Sequence, residues 1–434
     1  MTPSFPPTRA AALAGLGAMR TQSYASSRNH LDGAVTHLSP YLTHGLLNLP
    51  EVAALAAARH ALPIEHKFVQ ELAWREFFHH VWQHQGEAIL RSLHAGPRPD
   101  ADYAATLPDD IRQARTGVPV IDQAVRQLYA VGWLHNHARM WLASYVVHVR
   151  GVHWRAGADW LVAHLLDGDL ASNHLSWQWV AGTGSHKPYL FNAENVARYA
   201  GGVPGWASPG SVLDTDYATI ERWARGTAAL PPAPASAVAE GLTEPLLGHR
   251  PPPDVPAPAP LSPRQASALA KTLAGREVWL VHPWALVDPV SGQRSGTPGQ
   301  VFRLGVWPAE FHARWPWSAA RWRFVSTALV AASDQVVWAD SDTLQLALAQ
   351  AASVRCVHNG LLPADWPADW RLPAARLLAE PERACPSFSQ FWRQATRGYD
   401  KHQAWHRVRS TDPADQVDPA DQAEQADQDD LDLD

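Results

Sequence analysis

The sequence predicts two folded domains of different class, an all-α domain over residues 1–225 and a smaller α/β domain over residues 271–398. Three observations support this prediction. Apolar residues recur at helical spacing in the first segment, whereas short apolar runs alternate with helical patterns in the second. Residues 226–270 are rich in proline and alanine and have no hydrophobic period, which is typical of a semi-extended linker.

The helices of the first domain are predicted from apolar residues that recur every three to four positions. Five such stretches are residues 51–61, 65–83, 119–131, 133–150 and 157–166. A sixth helix is predicted from Asp169 to about Ala181, because the Asp169 carboxylate can accept from the free N–H groups of the first turn.

One face of this sixth helix carries three polar or aromatic side chains. Asp169, Asn173 and Trp177 follow one another at intervals of four residues and therefore share one stripe. A carboxylate, an amide and an indole on one stripe suit a polarisable ring that accepts electrons. On spacing alone, a buried helix with a hydrogen-bonded Asp and Asn is the simpler interpretation.

The second domain is predicted to contain a parallel sheet. Strands are expected over residues 278–281, 301–306, 335–338 and 354–358, and helices over residues 317–332 and 343–352. Alternating strands and helices are typical of a parallel sheet covered on both faces, which makes this domain Rossmann-like.

Charge is unevenly distributed along the chain. The formal charge of −6 divides into −10 in residues 410–434 and +4 in the remainder, which is compatible with binding DNA. The acidic end, residues 399–434, contains a short near-repeat that cannot bury a core, so we expect it to be disordered.

Several function classes are disfavoured by the sequence. It contains no run of 18 apolar residues and no apolar signal core at the N-terminus, so we expect neither a membrane span nor secretion. Cys356 and Cys385 are the only cysteines, which argues against a disulfide framework and fits the cytoplasm. We find no zinc-ligand spacing and expect no bound metal.

Polar residues at helical spacing also occur earlier in the first domain. Glu71, Trp74 and Arg75 share one helical face, which presents a carboxylate, an indole and a guanidinium that a ligand could contact. An amphipathic helix with an internal ion pair is the alternative. Ser39 followed by Pro40 predicts a capped helix start that can accept an anion, although a well-capped helix needs no ligand.

Five motifs of the first domain, taken in order, resemble those of the photolyase/cryptochrome family. They are Y-A-S-S-R-N with V-T-H-L-S-P-Y-L, E-L-A-W-R-E-F-F, T-G-V-P-V-I-D with G-W-L-H-N-H-A-R-M, D-G-D-L-A-S-N-H-L-S-W-Q-W, and G-T-G-S-H-K-P-Y with F-N. They extend over about 170 residues. The resemblance implies a photolyase-type, all-α FAD-binding domain.

Residue roles follow from this resemblance position by position. It assigns contacts with FAD to Tyr24, Thr36, Ser39, Arg75, Asp167, Asp169 and Asn173. It assigns a pocket for the damaged base pair to Glu71, Trp74, Asn136, Met140 and Trp179. The residues it implies for catalysis are Glu71 and Asn173 at the reacting groups, and Trp177 and Trp154 as an electron relay towards the surface.

Three features depart from the family pattern. His137 replaces an arginine that is usual in dimer-repairing members, which removes a permanent cation. The third relay tryptophan is absent near Ala101, so the relay ends at Trp154 or continues to Tyr103. The α/β domain follows the helical domain, whereas photolyases begin with theirs; a change of domain order and an unrelated α/β domain are the two interpretations.

The function implied by the resemblance is light-driven repair, in which photoexcited, reduced FAD donates an electron to a pyrimidine dimer in DNA. A cryptochrome-like blue-light sensor and a helical scaffold without cofactor are the alternatives. The lesion-pocket residues favour repair, whereas His137, the missing tryptophan and the acidic tail favour another function. We expect a monomer that binds damaged DNA, with the tail as a candidate surface for a protein partner; a second, antenna chromophore is left open.

Overall fold

The computed structural model describes residues 3–60, 62–185, 187–232, 241–287 and 301–399. The prediction of a disordered acidic tail concerns residues 399–434, and all of these except residue 399 lie outside the described residues. Part of the predicted linker, residues 233–240, lies outside them as well.

Helices form the first part of the chain, and all six helices predicted from the sequence are among them. Their bounds are α1 (Arg9–Gly17), α2 (Thr21–Ser27), α3 (Ser39–Thr43), α4 (Leu49–His60), α5 (Lys67–Gln85), α6 (Asp109–Arg112), α7 (Pro119–Val131), α8 (Asn136–Ser144), α9 (Trp154–His164), α10 (Leu170–Ala181), α11 (Ala193–Ala200) and α12 (Tyr217–Ala224). The helix expected over residues 133–150 begins later, at Asn136, and its last turn, Tyr145–Val149, is a π-helix that continues α8.

The start of helix α10 is set by a capping side chain, and its end by a glycine. Asp169 has an extended backbone, and its side chain accepts from the N–H of Ser172, as an N-cap does. The helix ends at Gly182, whose φ of 80° lies in the left-handed region that glycine adopts without steric cost. The predicted start of α10 is therefore confirmed.

The second part of the chain contains the predicted parallel sheet. Its elements are β1 (Leu247–Gly248), α13 (Pro263–Thr272), β2 (Glu277–Val281), β3 (Val301–Pro308), α14 (Ala309–Arg314), β4 (Trp317–Ser318), α15 (Ala319–Ala331), β5 (Gln335–Ala339), α16 (Ser341–Leu348), β6 (Ser353–Val357), β7 (Arg371–Leu372) and α17 (Phe388–Ala395). The strand order is β5-β3-β2-β6-β7, with every pair parallel. From β2, the chain therefore adds strands outward on one side, β3 and then β5, and afterwards on the other side, β6 and then β7, as in doubly wound sheets.

The segment predicted as a linker, residues 226–270, is packed against the sheet domain over its later part. Strand β1 pairs antiparallel with β4, and the guanidinium of Arg250 lies 4.3 Å from the centroid of the Trp338 ring. Ser262 begins α13 with a capping box. The prediction of a linker is therefore wrong for residues 241–270, because a two-residue strand and single side-chain contacts leave no periodic signal in the sequence.

Buried apolar side chains form two clusters, and the boundary between them differs from the division along the chain. One cluster joins helices α1–α5 to the sheet, and the other is built from α6–α11. Helices α9 and α10 contribute to both clusters. A cavity lies where the two clusters meet, and its lining residues all come from the helical part, between Ser39 and Val180.

Two findings bear on the function classes considered from the sequence. None of the described helices is both long and apolar enough to span a membrane. Cys356 and Cys385 are buried and unpaired with one another.

Candidate active site

The cavity has a volume of about 440 Å³ and lies between helices α3–α5 and helices α8–α10. Small-molecule sites typically measure about 300–1,000 Å³. Eleven of the fourteen predicted site residues line it, namely Ser39, Glu71, Trp74, Arg75, Asn136, Met140, Asp167, Asp169, Asn173, Trp177 and Trp179. Tyr24, Thr36 and Trp154 are not among its lining residues.

One wall of the cavity is built from two buried carboxylates and their cationic partners, and we call it the acid wall. Both oxygens of Asp167 accept from the Arg139 Nη2, at 3.0 and 2.7 Å. Asp169 lies 3.2 Å from the His79 Nε2. Burial alone would raise the pKa of Asp169, but the neighbouring His79 and Arg75 hold it well below its usual value.

The backbone that carries these carboxylates is held by side chains from outside α10. The Thr43 hydroxyl donates to the carbonyl oxygen of Asp167 at 3.3 Å. Arg321, from α15 of the sheet domain, donates to the carbonyl oxygens of Val162 and Gly168. Arg321 is only 2% exposed, and its burial lowers its pKa to about 9 while Asp167 and Asp169 oppose that shift.

Gly168 makes this approach of Arg321 sterically feasible. A Cβ on Gly168 would lie 2.4 Å from the Arg321 Nη1 and 2.3 Å from the carbonyl oxygen of Val162. The Asp167-Gly168-Asp169 turn therefore needs glycine at its centre for a reason that involves the second domain.

Asn173 and Trp177 complete the stripe predicted on α10. The Asn173 Nδ2 donates one of its two N–H groups to the carbonyl oxygen of Ala158 at 2.9 Å, which leaves the other N–H and the side-chain carbonyl to offer to a ligand. Trp177 packs over Gly157 of α9, where a Cβ would lie 2.3 Å from the indole Cη2. Glycine at that position thus makes room for the indole ring.

A second group of lining residues is more exposed than the two carboxylates, and we call it the aromatic rim; it comprises Glu71, Trp74, Asn136, Met140 and Trp179. Glu71 pairs with Arg28 at 3.3 Å, and its side chain is 36% exposed. Trp179 is 41% exposed and stacks on Tyr189. The Asn136 Nδ2 lies 3.5 Å from the Met140 sulfur.

Trp74 of the aromatic rim is stacked on Phe388 of α17, with ring centroids 4.0 Å apart and planes inclined by 7°. One face of the indole is therefore covered by the end of the sheet domain. Only the other face is left for a ligand, which is a restriction that the sequence did not predict.

The C-terminal part of the sheet domain also forms hydrogen bonds with α5. The Glu76 carboxylate accepts from the backbone N–H groups of Leu377 and Leu378 at 2.6 and 3.0 Å. Burial raises the pKa of Glu76 to about 7, although these two donors and Arg376 oppose the shift. The sheet domain is thus attached to both sides of the cavity, through Arg321 behind the acid wall and through α5 behind the aromatic rim.

Three predicted cofactor contacts lie differently from expectation. Ser39 is the first residue of α3 and makes no cap, because the preceding Leu38 has a helical backbone; the prediction of Ser39 as N-cap is wrong. Its hydroxyl accepts from the Trp133 Nε1 at 3.1 Å. Tyr24 packs edge-on against Phe68, and Thr36 is half-buried outside the cavity lining.

His137, which takes the place of a family arginine, lies in an aromatic environment. It is 7% exposed and stacks on Tyr199 with centroids 4.5 Å apart. Burial, helped by His30, lowers the pKa of His137 to about 4. It is therefore neutral at pH 7 and presents no cation to a ligand.

Among the described residues, His80, His84 and Glu380 bring three potential metal-ligand atoms within 4.8 Å of one another. Both ring nitrogens of His80 already have protein partners, the Glu380 carboxylate at Nδ1 and the N–H of Cys385 at Nε2. The cluster is therefore accounted for by hydrogen bonds between α5 and the sheet domain.

Four residues around the site were not assigned from the sequence. Arg139 lies in the G-W-L-H-N-H-A-R-M motif, so its position was available as a signal. His79 lies one helical turn beyond Arg75 and could have been placed beside it by periodicity. Arg321 and Phe388 come from the sheet domain, and no local pattern predicts that they reach the cavity walls.

Residues 68–232 match a family model described as the FAD binding domain of DNA photolyase. Over this part, the helical region of the chain is similar to proteins of the photolyase/cryptochrome family. A deoxyribodipyrimidine photo-lyase of Streptomyces griseus is 40% identical over 166 residues, which are 37% of this chain and 35% of that protein. One from Thermus thermophilus is 34% identical over 233 residues, 49% of this chain and 55% of that protein.

The structural comparison adds a cryptochrome of Synechocystis sp. PCC6803, with 26% identity, a TM-score of 0.41, and coverage of 46% of this chain and 44% of that one. The similarity to the photolyase/cryptochrome family rests on the sequence matches. The chain spans from about a third to about half of the length of the two photo-lyases named above.

The chemistry of the cavity fits the isoalloxazine ring of FAD, the cofactor of the matched domain. A planar heterocycle with donors and acceptors on its edge needs complementary groups on one wall. The acid wall offers the cationic donors Arg75 and Arg139 and the acceptors Asp167, Asp169 and Asn173. The residues present therefore fit this group.

Proposed function

We propose that this protein is a photolyase-like flavoenzyme that binds FAD in the cavity and uses light to split pyrimidine dimers in DNA. The observation that carries the proposal is the convergence of the acid wall and the aromatic rim on one cavity. A cofactor and a flipped lesion would each need one of these two sides.

When bound, FAD would supply the absorption of blue light, which no side chain can provide, and the photoexcited electron donor. The acid wall holds the ring edge through charge-assisted hydrogen bonds. Asn173 offers its carbonyl oxygen to a ring N–H, and Trp177 is the nearest indole of the relay on the same stripe of α10.

At the aromatic rim, the uncovered face of Trp74 stacks on a base, and the Glu71 carboxylate accepts from the base edge. The remainder of the rim, Asn136, Met140 and Trp179, contacts the second base of the dimer and the mouth of the cavity. These proposed contacts with bases are the reason for proposing DNA as the substrate.

A blue-light sensor without repair is the second candidate, and two observations favour it. His137 is neutral where repairing relatives would offer a cation. In addition, Phe388 covers one face of Trp74. A sensor needs the acid wall and the relay but has no need of an accessible lesion pocket.

For the order of domains, we infer that the sheet domain is a relocated counterpart of the α/β domain of photolyases. The doubly wound order of its strands supports this inference. Its contacts with both sides of the cavity also support a long-standing association with the helical domain.

The test is light-dependent repair of an oligonucleotide with one pyrimidine dimer by FAD-loaded protein. Trp74→Ala should weaken binding of that DNA by roughly 5- to 150-fold, the equivalent of about 1–3 kcal/mol of stacking, while leaving the flavin spectrum unchanged. Asn173→Ala should instead change which flavin redox state is stable and leave DNA affinity unchanged.

Failure of the wild type to repair, combined with equal affinity for damaged and undamaged DNA, would overturn repair and leave the sensor. A folded preparation that takes up no FAD would overturn both candidates.

A further inference from the structure

Trp154 is a poor terminus for an electron relay. It is only 2% exposed, and its indole N–H donates to the Ser92 hydroxyl at 2.9 Å. An oxidised Trp154 could therefore neither release a proton to solvent nor meet a soluble reductant. The relay needs an exit beyond it.

Two chains of ring contacts lead from Trp154 towards the surface of the described structure. The first passes through His153, at 5.6 Å between ring centroids, to Tyr103, at 6.2 Å. The second passes through His174, at 6.3 Å, to Trp315 at 5.8 Å. Trp315 is half-buried and directly follows α14 of the sheet domain.

Tyr103 is the weaker electron donor of the two exits. At neutral pH a phenol gives up an electron readily only if its proton leaves at the same time. No group in the described part of the chain accepts a hydrogen bond from the Tyr103 hydroxyl, so its proton would have to pass to solvent. Burial also raises the pKa of Tyr103, with Arg98 opposing that shift.

Trp315 is better suited, because an indole can lose an electron while keeping its proton. Arg314 and Arg155 lie 5.2 and 5.7 Å from its ring centroid, which alone would disfavour a positive hole. Each of these arginines is paired, Arg314 with Glu87 and Arg155 with Asp159. Their charges are thus balanced next to the ring.

The spacer between the two indoles is also held in place. The His174 Nε2 lies 2.8 Å from an Asp159 carboxylate oxygen, and its Nδ1 lies 3.0 Å from the carbonyl oxygen of Leu170. The imidazole is therefore fixed between the rings of Trp154 and Trp315.

We propose that Trp315 is the outer member of the relay, contributed by the sheet domain. One electron passes from Trp315 to oxidised Trp154, which returns to a neutral indole, with His174 as the spacer. Trp315 becomes a radical cation and releases its N–H proton to solvent; the neutral radical is restored by one electron from a soluble thiol, which becomes a thiyl radical, together with one proton. The inference rests on the proposed function, in which Trp177 and Trp154 carry electrons inward.

The experiment uses FAD-loaded, full-length protein under blue light with a thiol present. We expect Trp315→Phe to slow flavin photoreduction at least about tenfold, equivalent to about 1.4 kcal/mol of activation free energy. Tyr103→Phe tests the other exit and should stay within about twofold. Trp370→Phe is the matched control, because Trp370 is a half-buried indole of the same domain that contacts Trp366.

A second measurement needs no variant. Wild-type protein illuminated in air without thiol should accumulate oxidised tryptophan at Trp315, mapped by peptide mass spectrometry, and much less at Trp370. This readout follows the radical and does not depend on repair.

Unchanged photoreduction in Trp315→Phe, with slow photoreduction in Trp154→Phe, would overturn the inference and leave the proposed function intact. A slow Tyr103→Phe with a normal Trp315→Phe would assign the exit to Tyr103. Loss of photoreduction in the wild type would instead refute the relay itself.

Discussion

The acid wall and the aromatic rim line the same cavity, but they differ in how completely their polar groups are satisfied. The side chains of Asp167 and Asp169 are 3% and 5% exposed; Asp167 pairs with Arg139, and Asp169 lies beside the His79 ring. Glu71 is 36% exposed and has a single, longer ion pair with Arg28. The acid wall is therefore preorganised, whereas the rim keeps polar capacity for a molecule that arrives from solvent.

This difference has an energetic consequence. A buried ion pair that loses one partner leaves an uncompensated charge and costs about 3–5 kcal/mol, whereas an exposed pair contributes about 0–1 kcal/mol. Substitutions in the ion pairs of the acid wall should therefore lower the free energy of unfolding more than substitutions in the ion pair of the rim.

The largest difference is expected between Arg139→Met and Arg28→Met. The first should lower the free energy of unfolding by about 3–5 kcal/mol, because it leaves Asp167 buried without its partner. The second should lower it by less than about 1 kcal/mol. Urea denaturation of both variants measures the comparison, and equal losses would show that the two sides do not differ.

A smaller effect is expected from Gly168→Ala. The added methyl group would collide with the Val162 carbonyl oxygen and with Arg321, so we expect a loss of about 3 kcal/mol, at the upper end for overpacking. It should also weaken FAD binding, because the turn carries both carboxylates of the acid wall.

Gly202→Ala is the control for that variant, since a Cβ at Gly202 would meet nothing within 4 Å. Thermal melts and FAD titration should separate the two alanine variants. If Gly168→Ala bound FAD as tightly as wild type, the turn would not be responsible for holding the carboxylates.

The smallest of the three effects is expected from Asp169→Asn, which keeps an N-cap but removes the charge. A hydrogen bond to a charged group contributes about 1.5–3 kcal/mol, so we expect a loss of about 2 kcal/mol at pH 7. The pKa of Asp169 is lowered in the folded state. Its contribution is therefore present above the unfolded pKa of about 3.9 and is lost as the pH falls below it.

The measurement is the stability of wild type and Asp169→Asn at pH 7 and at decreasing pH. The two curves should converge on acidification. A constant difference between them would contradict a charge-based contribution and assign the effect to packing.

Local signals explain which parts of this molecule could be predicted from the sequence. The start of α10 depends on one side chain, Asp169, and its end on Gly182, so both were visible within thirteen residues. The strands of the sheet are short apolar runs that need no partner to be identified. The three polar residues of the α10 stripe follow from helical spacing once the start is known.

The contributions of the sheet domain could not be predicted in this way. Arg321 and Phe388 lie in helices whose local sequence does not indicate a contact with the cavity walls, and only the tertiary fold brings them to the turn at Gly168 and to Trp74. Ser39 was misplaced because Ser-Pro fits both an N-cap and a first helical turn, and the backbone angles of Leu38 decide between them.

The attachment of α5 to the end of the chain has a consequence for folding during synthesis. Glu76 accepts from backbone amides 301 and 302 residues further along, and His80 accepts from one 305 residues away. At about 5–20 residues per second, a ribosome needs roughly 15–60 s to make that intervening chain. For this interval α5 exposes the aromatic face that later packs on Phe388 and Phe391. The apolar face of that helix is therefore completed only after nearly the whole chain has been made.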